Sequence, residues 1–305
     1  MAERRRSRAL LWAVFGLAGF FVFLAVLFAV AYFSVRSRSE YVYTSGGSGG
    51  KIGVVDLTGV IITPKQTVDG LRKFADDASI RAIIIHINSP GGGAAASEEI
   101  YREVKRIRDE KHKRIVASIE TVGASGAYYV ASATDKIYSN EASIVGSIGV
   151  IAEWLNYQDL LQWAKLKAIV FKSGEFKDTG SPVRELTPQE KQYFQALLDN
   201  MHQQFIHNVA EGRRQLEADI RNIADGKVWT GQQALGLKLI DQLADFQSAV
   251  KDTASAVGIS GKPTLVRYRK PRVSLLELLI GDASEYLPDA GKLLQTNVGF
   301  YYLWK

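Results

Sequence analysis

The sequence contains no cysteine. Disulfides, thiolate nucleophiles and cysteine-ligated metal are therefore excluded, while the redox compartment stays open. Histidine is scarce, with four in 305 residues. A serine–histidine–aspartate set has few places to form. A large single-sign charge is also lacking once the chain is divided. The net charge is +6, but the first fifty residues hold six arginines and two glutamates, so residues 51–305 carry only +2. A nearly neutral body argues against a nucleic-acid partner, whose phosphates call for a basic face. No internal repeat is visible. What remains is ordinary globular material, 47% hydrophobic and 23% charged, long enough for one large domain or two small ones.

The arginines belong to a topology signal. Ala9 to Phe33 runs 25 residues without a charge, with four arginines before it and two after. A helix of about 20 apolar residues crosses a bilayer core of about 30 Å. The positive-inside rule then puts residues 1–8 in the cytoplasm and everything after residue 33 outside. A cleaved signal is the rival, because Ala29-Val30-Ala31 fits an A-x-A site; the run is too long for a signal core of about 7–15 residues. Residues 34–50, ending in TSGGSGG, read as a flexible linker.

From residue 51 the pattern is α/β. Lys51–Leu57, Arg81–Asn88 and Arg114–Ile119 are β-branched apolar runs, expected as buried strands. Shorter strands are expected around Lys136–Tyr138, Ile144–Ile151 and Ala168–Phe171. Ser97 to Asp109 reads as a helix with Ile100, Val104 and Ile107 on one face. Thr187-Pro188-Gln189-Glu190 opens a long helix with a capping box and proline at its first position. Phe194, Leu197, Leu198, Met201, Phe205 and Val209 form its apolar stripe. Leu275–Ile280 is a short helix candidate in the tail.

Two stretches carry possible chemistry. Asn88-Ser89-Pro90-Gly91-Gly92-Gly93 closes a strand and precedes a helix. Glycine allows backbone N–H groups there to point at a negative oxygen. Three readings stay open on the motif alone. A phosphate cradle is one, though the G-K-[ST] ending and the G-x-G-x-x-G spacing are both missing. An oxyanion hole for acyl transfer is the second, and a plain tight turn is the third. The other stretch, Thr121 to Ala133, reads TVGASGAYYVASA and sets Ser125 among small residues. A serine hydroxyl is a weak nucleophile until a base takes its proton. His112 lies in a charged run. His202 and His207 lie off the main stripe of the long helix, and His86 lies inside a strand. None has a clear place in a triad. A lysine held neutral by burial is the other base able to serve. Lys177, after a glycine turn and beside Phe176, is a candidate, although most lysines are simply solvated.

NSPGGG, GASGAYYVAS, IVGSIGV and KSGEFKDTGSP follow one another in that order, and DGKVWTGQQALGLKLID comes later at 225–241. Together they resemble the signal peptide peptidase A family, serine endopeptidases with a Ser/Lys dyad on the Clp-protease/crotonase-like α/β fold, a ββα superhelix. The similarity spans about residues 51–265, in the short, single-module form, and leaves 266–305 as an extension without a matching motif. The resemblance implies Ser125 as nucleophile and Lys177, 52 residues later, as general base. It implies Ser147 as the serine that hydrogen-bonds the lysine, and the backbone N–H groups of Gly92 and Gly126 as oxyanion donors. Ala127 stands where the family more often has glycine.

The function so implied is a membrane-anchored serine endopeptidase that degrades remnant signal peptides. It needs no metal or other cofactor, and its partners are extended hydrophobic peptides and the lipid bilayer. The short form further implies a ring-shaped homo-oligomer in which serine and lysine come from adjacent protomers. The long helix and the tail segments Leu275–Ile280 and Phe300–Trp304 are candidate contacts, core packing being the favoured reading for the helix. Alternatives are a related peptidase acting on misfolded membrane proteins, an acyl-CoA enzyme of the same fold, and a catalytically quiet scaffold. An exported domain does not meet CoA. Intact Ser125, Lys177 and Ser147 argue against the scaffold.

Overall fold

A computed structural model describes residues 19–21, 26, 28, 41–47, 49–268 and 299–304, with the backbone alone for 41–45 and 299. The chain forms two units, residues 1–40 with 270–289 and residues 41–269 with 290–305. Of the first unit, Gly19–Phe21, Val26 and Phe28 are helical. Most of the expected anchor at 9–33, and all of the expected helix at Leu275–Ile280, lie outside the described residues. Among the described residues no helix is long and apolar enough to cross a membrane.

The second unit is built on a mixed sheet. Its strands are β1 (Tyr41–Ser45), β2 (Lys51–Thr58), β3 (Ile80–Ser89), β5 (Arg114–Ala124), β6 (Lys136–Ser139), β7 (Ile144–Gly146), β9 (Val228–Thr230), β10 (Gln242–Leu243) and β11 (Thr264–Tyr268). Their order is β1-β11-β2-β3-β5-β6-β10, with β7 beside β5 and β9 beside β7. The pairs β1/β11 and β7/β9 are antiparallel, and the rest are parallel. A separate three-stranded antiparallel sheet joins β4 (Gly91–Gly93), β12 (Gly299–Leu303) and β8 (Ile151–Glu153), with β12 in the middle.

The Ile/Val runs explain the core. Strands covered on both faces need apolar residues at successive positions. Ile83, Ile85 and Ile87 point to one side, where they join Val104, Ile107, Tyr128 and Phe205. Ile84 points to the other and meets Ile52, Val54, Val116 and Ala249. The helices are α1 (Lys65–Asp76), α2 (Ala94–Lys111), α3 (Gly126–Ser132), α4 (Gln158–Trp163), α5 (Pro188–Arg213), α6 (Glu217–Ile223), α7 (Gly231–Gly236) and α8 (Phe246–Ala256). The stripe Ile100, Val104 and Ile107 of α2 is fully buried, as its spacing predicts. α5 starts with the expected capping box, Thr187 Oγ1 accepting from Glu190 N and Glu190 Oε2 from Thr187 N. Its stripe is buried at Phe194, Phe205 and Val209, and only half-buried at Leu197, Leu198 and Met201.

Three expectations differ from the structure. Ile144–Ile151 is not one strand: the chain leaves the sheet after Gly146, where Ser147 has a positive φ, and Ile151 opens β8 in the other sheet. Ala168–Phe171 is not a strand. Ile169 is 80% exposed and Phe171 95%, and no neighbouring strand among the described residues supplies the ladder that a β run needs. The stretch read as a flexible linker, residues 34–50, holds the whole of β1, whose Ser45 pairs with Leu265. Just beyond it, the Gly47 N–H donates to Thr264 Oγ1 at 3.1 Å.

Candidate active site

The candidate site lies where β5 and β7 end side by side. Ala124 pairs with Gly146 in parallel register, so the next residues, Ser125 and Ser147, leave the sheet together. The Ser125 N–H donates to Gly146 O at 2.6 Å, and the Ser147 N–H to Lys227 O at 2.7 Å. Both serines have positive φ, 53° and 52°. Ser125 at ψ −119° occupies backbone space that a residue with a Cβ rarely enters. Such strain costs of order 1–3 kcal/mol and persists only where the surroundings impose it. The sharp turn from β5 into α3 imposes it, with Ser125 O already accepting from Tyr129 N at 2.8 Å. Ser125 is 1% exposed, and no hydrogen bond engages its hydroxyl among the described residues.

The glycine motif faces this turn. On one side of β4, Gly91 O accepts from Ile61 N and Gly93 N donates to Ile61 O, both at 2.8 Å. The alternation of a strand therefore turns the N–H and C=O of Gly92 to the other side, toward Tyr302 of β12. The Trp304 N–H donates to Pro90 O at 2.8 Å and keeps the same register. The Tyr302 carbonyl oxygen is wedged between two glycines. A Cβ on Gly91 would lie 2.0 Å from it and 2.6 Å from Gly126 N, and a Cβ on Gly126 would lie 3.1 Å from it. The φ of +96° at Gly91 is a second reason for glycine there. The Tyr302 carbonyl thus lies against β4 at Gly91–Gly92 and beside the start of α3 at Gly126. The Tyr302 ring is buried, 4.7 Å from Phe205 and 5.3 Å from Tyr129 between ring centres, and its hydroxyl donates to Met201 O at 3.2 Å.

Lys177 is exposed, in a turn where its N–H donates to Gly174 O at 3.2 Å, and no hydrogen bond joins it to Ser125 or Ser147 among the described residues. Its loop is tied elsewhere. Lys172 Nζ reaches Asp178 Oδ1 at 2.6 Å and Glu175 O at 2.8 Å. Arg184 grips Asp178 through Nε and Nη2 at 2.8 and 2.9 Å, and Glu190 through Nη1 and Nη2 at 2.9 and 2.5 Å. The bonds from Arg184, then Lys172, hold the Asp178 carboxyl far below the usual carboxylate range. Glu190 is pulled down to about 2, chiefly by Arg184.

No hydrogen bond joins a histidine to the Ser125 hydroxyl among the described residues. His86 stacks on Phe246 with ring centres 4.6 Å apart, its Nδ1 3.4 Å from Asp56. His112 is exposed at the end of α2, and His207 pairs with Glu217 at 2.5 Å. His202 lines a cavity of about 740 Å³ that also reaches Ser147 and Trp304, and its Nε2 is buried without a partner. Sequence reasoning missed the strand position of Gly299–Leu303 and the Arg184 clamp. The clamp left one trace, the glutamate of the capping box.

Comparison with known proteins places the chain among the peptidases. Residues 107–260, which include Ser125, Ser147 and Lys177, match Peptidase family S49. A Synechocystis sp. protein with a provisional protease name is 37% identical over 235 residues, covering 76% of this chain and 84% of that one. Serine protease SPPA, chloroplastic, of Arabidopsis thaliana is 30% identical over 248 residues, 80% of this chain and 36% of that protein. Protease 4 of Haemophilus influenzae is 28% identical over 250 residues, 77% of this chain and 40% of its own. The chain belongs to Peptidase family S49, the signal peptide peptidase A family, and the mixed α/β unit fits that assignment.

Proposed function

We propose that the chain is a membrane-anchored serine endopeptidase with Ser125 as nucleophile and Lys177 as general base. The observation that carries the reading is the buried, strained Ser125 on a strand-to-helix turn, next to a carbonyl wedged between Gly91 and Gly126. Ser125 Oγ attacks the scissile carbonyl and its proton passes to the neutral amine of Lys177. The N–H groups of Gly92 and Gly126 hold the oxyanion once the Tyr302 carbonyl has moved out of that space. The ammonium returns the proton to the leaving amine, and a water activated by the same lysine then hydrolyses the acyl-enzyme. Ser147 accepts from the lysine and orients it.

The exposed position of Lys177 favours a site completed by a second copy of the chain. The arm that carries it also exposes Trp163, Ile169 and Phe171, at 82%, 80% and 95%. Large apolar side chains exposed on one arm are expected at an interface. A ring of protomers, on the Clp-protease/crotonase-like superhelix, is the assembly proposed. Residues 9–33 anchor it on the outer face of the cytoplasmic membrane. Its substrates are remnant signal peptides, which enter as extended chains; the seat of β12 between β4 and β8 supports an extended mode of binding.

The test has two arms. Cells carrying Ser125→Ala should accumulate signal-peptide fragments in their membranes, and unchanged fragment levels would contradict the substrate. Ser125→Ala and Lys177→Ala chains, each inactive alone, should regain activity when co-assembled. No recovery in verified mixed oligomers would sink the shared site.

A further inference from the structure

The base of this mechanism sits on a loop with little structure of its own. Residues 164–187 contain turns and no helix or strand, and Lys177 is exposed within them. A lysine side chain carries about 2 kcal/mol of rotamer entropy. Displacement of a reacting group by about 1 Å costs as much as 100-fold in rate. Something must hold the segment on either side of Lys177.

Arg184 has the geometry to do it. Its guanidinium is bidentate on Asp178, the residue next to Lys177, and bidentate on Glu190 in the first turn of α5. Its remaining bonds go to the carbonyls of Asp178 at 3.1 Å and Glu185 at 2.9 Å. Thr179, two residues after Lys177, donates to Glu190 at 3.0 Å, and Lys172 closes the loop onto Asp178. An isolated surface ion pair contributes little. This one is a network with forked geometry on both carboxylates, and Glu190 is only 4% exposed. Glu190 also belongs to the capping box of a 26-residue helix whose Phe205 and Val209 lie in the core. The chain of contacts therefore runs from the core, through α5 and Glu190, to Arg184, Asp178 and the backbone of Lys177.

We propose that Arg184 is a positioning residue for Lys177: it ties Asp178 to Glu190 and so fixes the loop that presents the base. The proposal rests on the Ser125/Lys177 reading and adds to it a residue that touches neither substrate nor serine. Arg184→Lys keeps the charge and loses the double fork. It should behave like a loss of aim rather than a loss of charge.

The test is a double-mutant cycle on the assembled full-length protein. The readouts are the rate of labelling of Ser125 by a fluorophosphonate and the kcat and KM of a peptide ester. Arg184→Gln should lower the labelling rate and kcat at least about 10-fold with KM nearly unchanged. Asp178→Asn, which keeps the shape and removes one arm, should act in the same direction. In a Lys177→Ala background Arg184→Gln should change the residual rate less than about twofold, because the lysine through which it acts is gone. Equal losses in both backgrounds, or wild-type kcat in Arg184→Gln and Asp178→Asn proteins, would overturn the positioning role. A Lys177→Ala protein labelled at the wild-type rate would overturn the dyad, and the clamp's role with it. Thermal unfolding and subunit size, measured on each variant, separate lost aim from lost fold.

Discussion

Replacing Gly91 by alanine separates two effects that the structure sets at one residue. The first is conformational. At φ +96° an L side chain is strained by roughly 1–3 kcal/mol. In a domain of this size about 1 kcal/mol moves the melting midpoint by about 2–4 °C, so this strain alone should lower the midpoint by roughly 2–12 °C. The second effect is spatial. The new methyl would lie 2.0 Å from Tyr302 O, 2.6 Å from Gly126 N and 3.1 Å from Ala124 O. All three are backbone atoms and none can swing aside. The methyl would occupy the space where the proposed mechanism holds its oxyanion. Loss of one oxyanion donor costs about 10²–10³ in kcat. Ester turnover and fluorophosphonate labelling, measured well below the lowered midpoint, should therefore fall at least about 100-fold. Gly93→Ala is the control. Gly93 has φ −56°, and its Cβ would meet only Ile61 O at 3.6 Å and Ala96 Cβ at 3.7 Å. It should remain within about threefold of wild type. A Gly91→Ala protein as active as the Gly93→Ala protein would refute the reasoning.

Lys177→Arg should be as inactive as Lys177→Ala in the same ester assay, because a guanidinium keeps its proton at working pH; activity in the arginine variant would leave Lys177 as a structural cation. Ser147→Ala should lower kcat strongly without abolishing it, since the lysine remains but is poorly aimed; a wild-type rate would remove Ser147 from the site. The clamp should respond to acid alone. Glu190 titrates at about 2 in the fold against an ordinary 4.5, so its contribution is complete above 4.5 and is lost as pH falls through the folded value. Limited proteolysis with an acid-active protease should first open the 171–186 loop below about pH 4, and a cleavage pattern unchanged down to about pH 2 would contradict this.

Much of the sheet is legible because each buried strand announces itself locally. RAIIIHIN and RIVASI are apolar at successive positions, and β3 and β5 are covered on both faces. The start of α5 is legible for the same reason, since its capping box lies within four residues. Ala168–Phe171 carries an equally apolar run and yet forms no strand. Its side chains are exposed, and composition does not say whether a run is covered by its own chain or by another. The tail is the opposite case. Phe300–Trp304 gives no strand signal beyond its aromatic rings, and its place is set by a register with Gly91–Gly93 about two hundred residues earlier. Of the expected site residues, Ser125, Ser147, Gly92 and Gly126 gather around one turn. Lys177 is exposed and makes no hydrogen bond to either serine among the described residues, and a spacing of 52 residues does not say whether one chain or two bring it to them. Arg184 was invisible because its two carboxylates, each six residues away, are ordinary surface residue types until the loop folds back on α5.

In the proposed mechanism Ser125 acts as nucleophile and Lys177 activates it. The most direct measurement is the identity of the residue that a fluorophosphonate modifies in the assembled protein, read by peptide mass spectrometry, with and without Lys177. One modified residue, Ser125, is expected, labelled at a rate that collapses in Lys177→Ala. Modification of any other residue, or a Ser125 labelled equally fast without Lys177, would contradict it.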